Sequence, residues 1–493
     1  MSNAIKHPPL PINEPVLPYA PGDPERTAIK KRLDQMLSEQ LEIPVIIGGQ
    51  EIRTGHTLDA VCPHDHKHVL AKVHQVGPEQ VDMAIKAANQ AWHDWSEMDW
   101  ESRAAIFLRA AELLAGPWRA TMNAASMLNQ SKTVHQAEID AACELIDFWR
   151  FNAQYMREIY AEQPLSARGI WDTVEYRALE GFIFAVTPFN FASIGGNLPT
   201  SPALMGNTVL WKPATTSVVT NYFTMRLLEA AGLPPGVINF IPGKGSMIGK
   251  GVLTRPELAG VHFTGSTPTF QFMWKTIGEN IDSYQGYPRI VGETGGKDFV
   301  FAHASADVSA LATALVRGGF EYQGQKCSAA SRAYIPESIW PQLRKQLLGQ
   351  LETVRMGSPL DFRNFMAAVI DEPAFDNTKE YIDEAKASGD MEILFGGGTD
   401  KSKGYFIEPT VVQSHDPRSR LMREEIFAPV LTLFVYPDNQ LDEAITLCDT
   451  TSSYGLTGAV FADDRTAVVK IANALRHAAG NFYINDKPTG AVV

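Results

Sequence analysis

Gly181-Phe182-Ile183-Phe184-Ala185-Val186-Thr187 runs directly into Pro188-Phe189-Asn190-Phe191. The first run is short and almost wholly apolar, the pattern of a strand buried on both faces of a helix-covered parallel sheet. Pro188 ends it, because proline has no backbone N–H to give to a ladder, and a polar Asn190 stands at its carboxyl exit. Working outward, the same unit recurs. Residues 208–212 form a second apolar strand, closed by Lys212-Pro213. A predicted helix over residues 217–231 is stopped by Gly232 and Pro234. Residues 237–241 lead into Pro242-Gly243-Lys244-Gly245-Ser246, and residues 260–264 into Gly265-Ser266-Thr267 and another helix. Alternating strand and helix predict parallel βαβ units in an open α/β sheet. Ligands of such sheets bind beyond the carboxyl ends of the strands, where this chain places Asn190, Lys212 and Gly265-Ser266. The spacing of Gly243, Gly245 and Gly249 is one residue longer than a dinucleotide fingerprint and reads equally as a turn. Gly265-Ser266 opens a helix, whose free N–H groups and dipole favour a phosphate.

Upstream, residues 42–48 read as a strand ending in the Gly48-Gly49 turn, and residues 61–74 as more strand, with Pro63 at a turn. From Pro78 the apolar period becomes helical, and helices are predicted over residues 102–114, 121–129 and 134–157. The last carries Glu138, Asp140, Glu144 and Asp147, expected mostly on a solvated face. Residues 172–180 alternate as a strand would. Downstream, a second α/β region starts near Ile290, with Gly292-Glu293-Thr294-Gly295-Gly296-Lys297 between apolar segments. A turn with a surface acid and a tight backbone beside a pocket are both open for that stretch. Glu424-Glu425-Ile426-Phe427-Ala428-Pro429 puts acids and an aromatic just before a strand over residues 430–435.

At 493 residues the chain exceeds one ordinary core, and 45% hydrophobic with 20% charged residues describes a globular soluble protein. A net charge of -13 argues against a nucleic-acid face or an anionic membrane surface, since no basic surplus exists to neutralise phosphates. No apolar run approaches a membrane span. Four dispersed cysteines form no C-x-x-C pair, which fits a reducing compartment rather than a disulfide framework or zinc site. His64, His66 and His68 alternate in a polar segment expected to be an exposed turn, so no metal is expected. The Pro-rich start, residues 1–23, shows neither an apolar signal core nor an Arg-rich amphipathic helix, and is expected to be an extended surface arm without a targeting signal.

Chemistry concentrates at Phe320-Glu321-Tyr322-Gln323-Gly324-Gln325-Lys326-Cys327-Ser328-Ala329. Small neighbours leave a substrate room to approach the sulfur, and the adjacent Lys326 would favour the reactive thiolate. A lone cysteine is more often a small buried hydrophobe, so the stretch alone leaves both readings open.

The ordered set of Asn after a strand, Lys-Pro after the next, Phe-Thr-Gly-Ser, Glu-x-Gly-Gly-Lys, Gly-Gln-x-Cys and Glu-Glu-Ile-Phe-x-Pro resembles the NAD(P)-dependent aldehyde dehydrogenase superfamily, from about Pro44 onward. The stretches Gln136–Asp140 with 148–152, 180–190, 320–328 and 480–487 resemble most its branch acting on L-glutamate γ-semialdehyde, the open form of Δ1-pyrroline-5-carboxylate. The resemblance implies an α/β fold with a Rossmann-type NAD-binding domain, an α/β catalytic domain and a small β-hairpin for oligomerisation. It divides the chain into an arm (1–40), an NAD-binding domain (41–293, with the hairpin at 164–180), a catalytic domain (294–475) and a C-terminal return with the substrate-anchoring loop (476–493). In its terms Cys327 attacks the aldehyde, Asn190 and the Cys327 N–H hold the oxyanion, and Glu293 is the general base. Lys212 binds the adenosine ribose, Ser266 the pyrophosphate with Gly245 and Gly265 nearby, Glu425 the nicotinamide ribose, and Phe427 packs on the nicotinamide. Ser328, Gly490 and Ala491 would anchor the substrate carboxylate, and Glu138 its amine.

There are departures from the pattern. Thr215 stands where many relatives have an acid that would repel a 2′-phosphate, so NAD is the expected cofactor with NADP not excluded. Ala428 replaces a more usual Gly, and the sequence ends at Val493, where the family continues through the anchoring loop and a final swapped strand; either the sequence is incomplete or part of the lid and that strand are missing. The implied function is oxidation of glutamate semialdehyde to glutamate in proline catabolism, by a homodimer or larger homo-oligomer, in a cytoplasm or, in a eukaryote, a mitochondrial matrix. An aldehyde dehydrogenase for another semialdehyde and a non-catalytic relative are the alternatives.

Overall fold

The computed structural model describes residues 6–489. Its first sheet has seven strands, with Phe182–Val186 third in order, flanked by Leu258–Gly265 and Thr208–Lys212. Side chains of that strand feed two different cores: Ile183 and Ala185 join one cluster, Phe182 and Phe184 the other. Burial on both faces is why alternation is absent from its sequence. The parallel strands lie in the order Arg289–Thr294, Leu258–Gly265, Phe182–Val186, Thr208–Lys212, Ile238–Phe240. Order reverses between Phe182–Val186 and Leu258–Gly265, which opens a ligand crevice beyond their carboxyl ends. Val45–Ile47 and Gln50–Ile52 complete the far edge in antiparallel sense.

A second seven-stranded sheet carries the downstream half, in the order Met391–Phe395, Thr410–Ser414, Val430–Tyr436, Arg332–Pro336, Phe299–Ala302, Thr457–Phe461, Asn481–Ile484. Only its first strand is antiparallel to its neighbour. The strand Arg289–Thr294 belongs to the first sheet, so the catalytic-side region starts at Phe299 rather than near Ile290. Its edge position leaves much of it exposed, which removes the apolar signature of a central strand.

Several expectations are corrected. Residues 42–48 are two strands, Leu41–Ile43 and Val45–Ile47, in different sheets; Pro44 between them cannot donate to a ladder. A helix, Pro24–Ser38, follows the arm, with Ile29, Leu33 and Met36 buried at helical spacing. The predicted helix over residues 134–157 contains a π-helical stretch, Glu138–Glu144, between Val134–Ala137 and Leu145–Ala161. Its acids are not solvated: Glu138, Asp140 and Asp147 are buried. His64 is buried as well, beside the Ser131 hydroxyl, and His66 stacks on Tyr405, so this is a packed hairpin turn rather than an exposed one. Residues 164–180 form no strand within the chain. Instead the Gln163 side-chain amide pairs with both backbone groups of Val174, leaving Leu165 and Trp171 98% and 89% exposed. A ladder there lacks a neighbour to pair with inside one chain.

Candidate active site

The helix Val308–Phe320 ends in a turn in which Tyr322, Gln323 and Gly324 all take positive φ (51°, 57° and 65°). Left-handed backbone is costly for residues bearing a Cβ and persists where surroundings over-determine it. Here the Gln323 side chain does so: its Nε2 donates to the carbonyls of Ser131 and Ala368, and its Oε1 accepts from Ala367 N–H. Gly324 is required, since a Cβ there would lie 2.4 Å from the Ala428 carbonyl oxygen. Gln325 Oε1 accepts from Ile370 N–H. The turn thus delivers Cys327 on a rigid base.

Asn190 comes from the other sheet, after Phe182–Val186, and is buried. Its Nδ2 donates to the Gln325 carbonyl at 3.2 Å, two residues before the thiol. One amide hydrogen is used that way and the second stays available. The Cys327 N–H donates to no carbonyl among the described residues; it lies against its own sulfur. The Asn190 amide therefore contacts the turn that carries the thiol, and the Cys327 N–H belongs to it.

Burial pushes the Cys327 thiol well up, and the carboxylates of Glu293, Asp298 and Glu425 push it further. Lys326 does not compensate: its ammonium pairs with Glu321 Oε2 at 3.1 Å, and Glu321 also holds Arg317. The expected help from Lys326 toward a thiolate is corrected accordingly, since its charge is spent on Glu321. Glu293, at the end of Arg289–Thr294, has its carboxyl raised by burial alone. Burial also brings Lys297 down to about 7 and Asp298 up to about 7. Asp298 accepts from Leu456 N–H and the Thr457 hydroxyl, and its own carbonyl takes Ser331 and Arg332 N–H groups, which ties down the exit of the cysteine loop.

The crevice fits a dinucleotide. The Lys212 ammonium is desolvated, down to about 8, and has no hydrogen bond or ion pair among the described residues. A Cβ on Gly245 would stand 3.9 Å from that ammonium, so small residues keep its surroundings open. Gly265 and Ser266 open the helix Thr267–Glu279, and the Ser266 side chain caps no backbone N–H. Across the crevice, Glu425 folds onto bare backbone: its Oε1 accepts from Gly296 N–H at 3.3 Å, and a Cβ on Gly295 would come within 1.9 Å of its Oε2. Phe427, at φ 59°, meets Phe189 edge to face at 5.7 Å.

Among the residues expected to hold substrate, Ser328 lies beside the thiol with its hydroxyl unbonded among the described residues. Gly490 and Ala491 lie outside the described residues. Glu138 is elsewhere, and its expected amine contact is corrected: its oxygens accept from Arg119, Asn123, the Tyr19 hydroxyl and Leu17 N–H. These partners saturate it and bind the N-terminal arm. Composition hid this, because an acid on an amphipathic helix reads as solvated. Gln323, Asp298 and Lys297 were missed as well; only their adjacency to glycines and to the cysteine hinted at them. No group of three or more His, Cys, Asp or Glu among the described residues could hold a metal ion.

The aldehyde dehydrogenase family profile matches residues 51–493. A Delta-1-pyrroline-5-carboxylate dehydrogenase from Agaricus bisporus is 50% identical over 99% of this chain and 90% of its own length. The mitochondrial Delta-1-pyrroline-5-carboxylate dehydrogenase of Dictyostelium discoideum is 48% identical over 98% of this chain and 88% of its own. The crystal structure of the Mycobacterium tuberculosis Delta-pyrroline-5-carboxylate dehydrogenase bound with NAD superposes with a TM-score of 0.96 at 51% identity, covering 100% of this chain and 91% of that one.

Proposed function

The chain belongs to the aldehyde dehydrogenase family, and from that premise we propose that Cys327, Asn190 and Glu293 carry its reaction. The enzyme oxidises L-glutamate γ-semialdehyde, formed from Δ1-pyrroline-5-carboxylate, to L-glutamate in proline catabolism. Its cofactor is NAD.

The observation that carries the assignment of residues is the Asn190 side chain reaching across to the Gln325 carbonyl, beside Cys327. The Cys327 thiol gives its proton to the Glu293 carboxylate, which releases it to solvent, and the sulfur bonds to the aldehyde carbon. Negative charge moves to the oxygen, where the Asn190 amide and the Cys327 N–H stabilise it. NAD, held by Lys212, Ser266 and Glu425, supplies the two-electron acceptor for that carbon when bound. A Cys327 thioester remains. Glu293 takes a proton from water, whose oxygen attacks the thioester and expels the thiolate. The Ser328 hydroxyl donates to the substrate α-carboxylate. Thr215, at the start of Thr215–Ser217, presents no charge to a 2′-phosphate, so NADP is not rejected by repulsion there.

Self-association through residues 164–180 belongs to the same reading, supported by the exposed Leu165 and Trp171. No helix among the described residues is long and apolar enough to cross a membrane. Free Cys62, Cys143, Cys327 and Cys448 support a reducing compartment, a cytoplasm or a mitochondrial matrix.

The test is NADH formation with Δ1-pyrroline-5-carboxylate for the wild type and Cys327→Ala, alongside NAD binding by calorimetry. Turnover lost by at least about 10³-fold with NAD binding intact is expected. Turnover surviving in Cys327→Ala would sink the nucleophile assignment.

A further inference from the structure

Lys132 is almost completely buried, at 1% exposure. Its ammonium stands 4.6 Å from the Phe191 ring centroid and 4.4 Å from that of Tyr322, and it ion-pairs with Asp140. Phe191 follows Asn190 directly, and Tyr322 opens the left-handed turn that leads to Cys327. One cation therefore touches both halves of the reaction centre, each from a different sheet.

The neighbours extend the same link. Asp140 accepts from Ala192 N–H at 2.8 Å, from Ser193 N–H at 2.9 Å and from the Ser193 hydroxyl at 2.7 Å. Those are the first donors of the helix Ala192–Leu204, so Asp140 fixes the end of the Asn190 loop. The Ser193 hydroxyl also lies 2.8 Å from Glu144. Gln130 Nε2 donates to the Phe189 carbonyl at 2.6 Å, and the Ser131 carbonyl accepts from Gln323. Asp140 and Glu144 both lie in the π-helical stretch, and such stretches recur at functional sites.

Stability does not account for this arrangement. A buried ion pair is commonly no better than well-packed apolar residues of the same volume. What a cation between two ring faces adds is a defined separation and orientation of those rings. We propose that Lys132, paired with Asp140, is a positioning residue that holds the Asn190 amide in register with the Cys327 sulfur across the two sheets. This rests on the reading of Asn190 as oxyanion donor and Cys327 as nucleophile.

The test compares wild type, Lys132→Met, Asn190→Ala, the double variant Asn190→Ala/Lys132→Met, and Lys132→Met/Asp140→Asn. Steady-state rates with Δ1-pyrroline-5-carboxylate are divided by the number of NAD-binding sites counted by calorimetry, so that misfolded chains drop out. Lys132→Met is expected to lose about 10- to 100-fold in kcat per NAD site, with KM little changed. Added to Asn190→Ala it should cost almost nothing more, because both act through one donor. Lys132→Met/Asp140→Asn removes both charges, so no lone carboxylate is left buried, and it should keep the low kcat. Wild-type kcat per site in Lys132→Met, or losses that multiply with Asn190→Ala, would overturn the proposal. So would a return to wild-type kcat in Lys132→Met/Asp140→Asn. An Asn190→Ala variant with undiminished kcat would instead sink the oxyanion reading and the proposal together.

Discussion

Glu138 is fully buried and Glu293 half-buried, and the proposed mechanism gives them opposite work. Glu293 is raised by burial alone, with no cation or donor among the described residues to hold its charge. A base must be a carboxylate to accept a proton, so turnover should fall as pH drops through that raised value. Glu293→Gln should slow turnover by about 10²- to 10⁴-fold, abolish that acid limb, and show a burst of NADH followed by slow release of the thioester. A pH–rate profile unchanged in the variant would remove Glu293 from the mechanism. Glu138 is instead held below the usual carboxylate range, because Arg119 and its other donors outweigh its burial. Glu138→Gln leaves the Arg119 guanidinium short of its partner and should cost about 3–5 kcal/mol in urea unfolding. Its KM for substrate should stay within about twofold, since the saturated carboxylate serves the arm rather than the substrate. A large rise in KM without loss of stability would restore it to the substrate site.

At the scale of the element, the cysteine turn and the π-helical stretch each break a regular pattern to aim side chains. The turn keeps Tyr322, Gln323 and Gly324 in left-handed backbone. Gly324→Ala adds a Cβ in conflict with the Ala428 carbonyl, at a φ of 65° that disfavours any L side chain. The expected loss is about 1–3 kcal/mol, read by thermal or urea unfolding, together with lower kcat because the thiol moves relative to Asn190. Unchanged stability and rate would mean that the turn relaxes freely. The π-helical stretch places Glu138 toward the arm and Asp140 toward the helix Ala192–Leu204, which a regular amphipathic reading of residues 134–157 did not anticipate.

For the molecule as a whole, the two sheets meet where Asn190 contacts the turn before Cys327, so the reaction centre exists only when both have folded and docked. The segment over residues 164–180 is open to solvent, with Trp171 exposed. Exposed apolar patches of this kind mark association surfaces. Trp171→Asp should shift the enzyme toward smaller species in sedimentation velocity, with kcat per folded chain largely retained. An unchanged sedimentation profile would place self-association elsewhere.

The sequence by itself determined the alternation of strand and helix and the standing of Asn190, Lys212 and Gly265-Ser266 at strand exits, while the grouping of Cys327 with Asn190 and Glu293 came only as what a family resemblance implies. Those signals are local: apolar runs, glycine and proline punctuation, and reactive residues at strand exits. Tertiary structure alone decided that Pro44 divides its strand between two sheets, that Arg289–Thr294 is an edge strand, and that Lys326 is spent on Glu321. It alone decided that Glu138 anchors the arm while Lys132 and Asp140 pack between Phe191 and Tyr322. The physical reason is that a charged side chain has no meaning along the chain until its partner is known. Burial turns the same Glu, Asp or Lys from a solvated surface group into a costly one that must be paired, and partners more than a hundred residues apart, such as Glu138 and Tyr19, are brought together only by the fold.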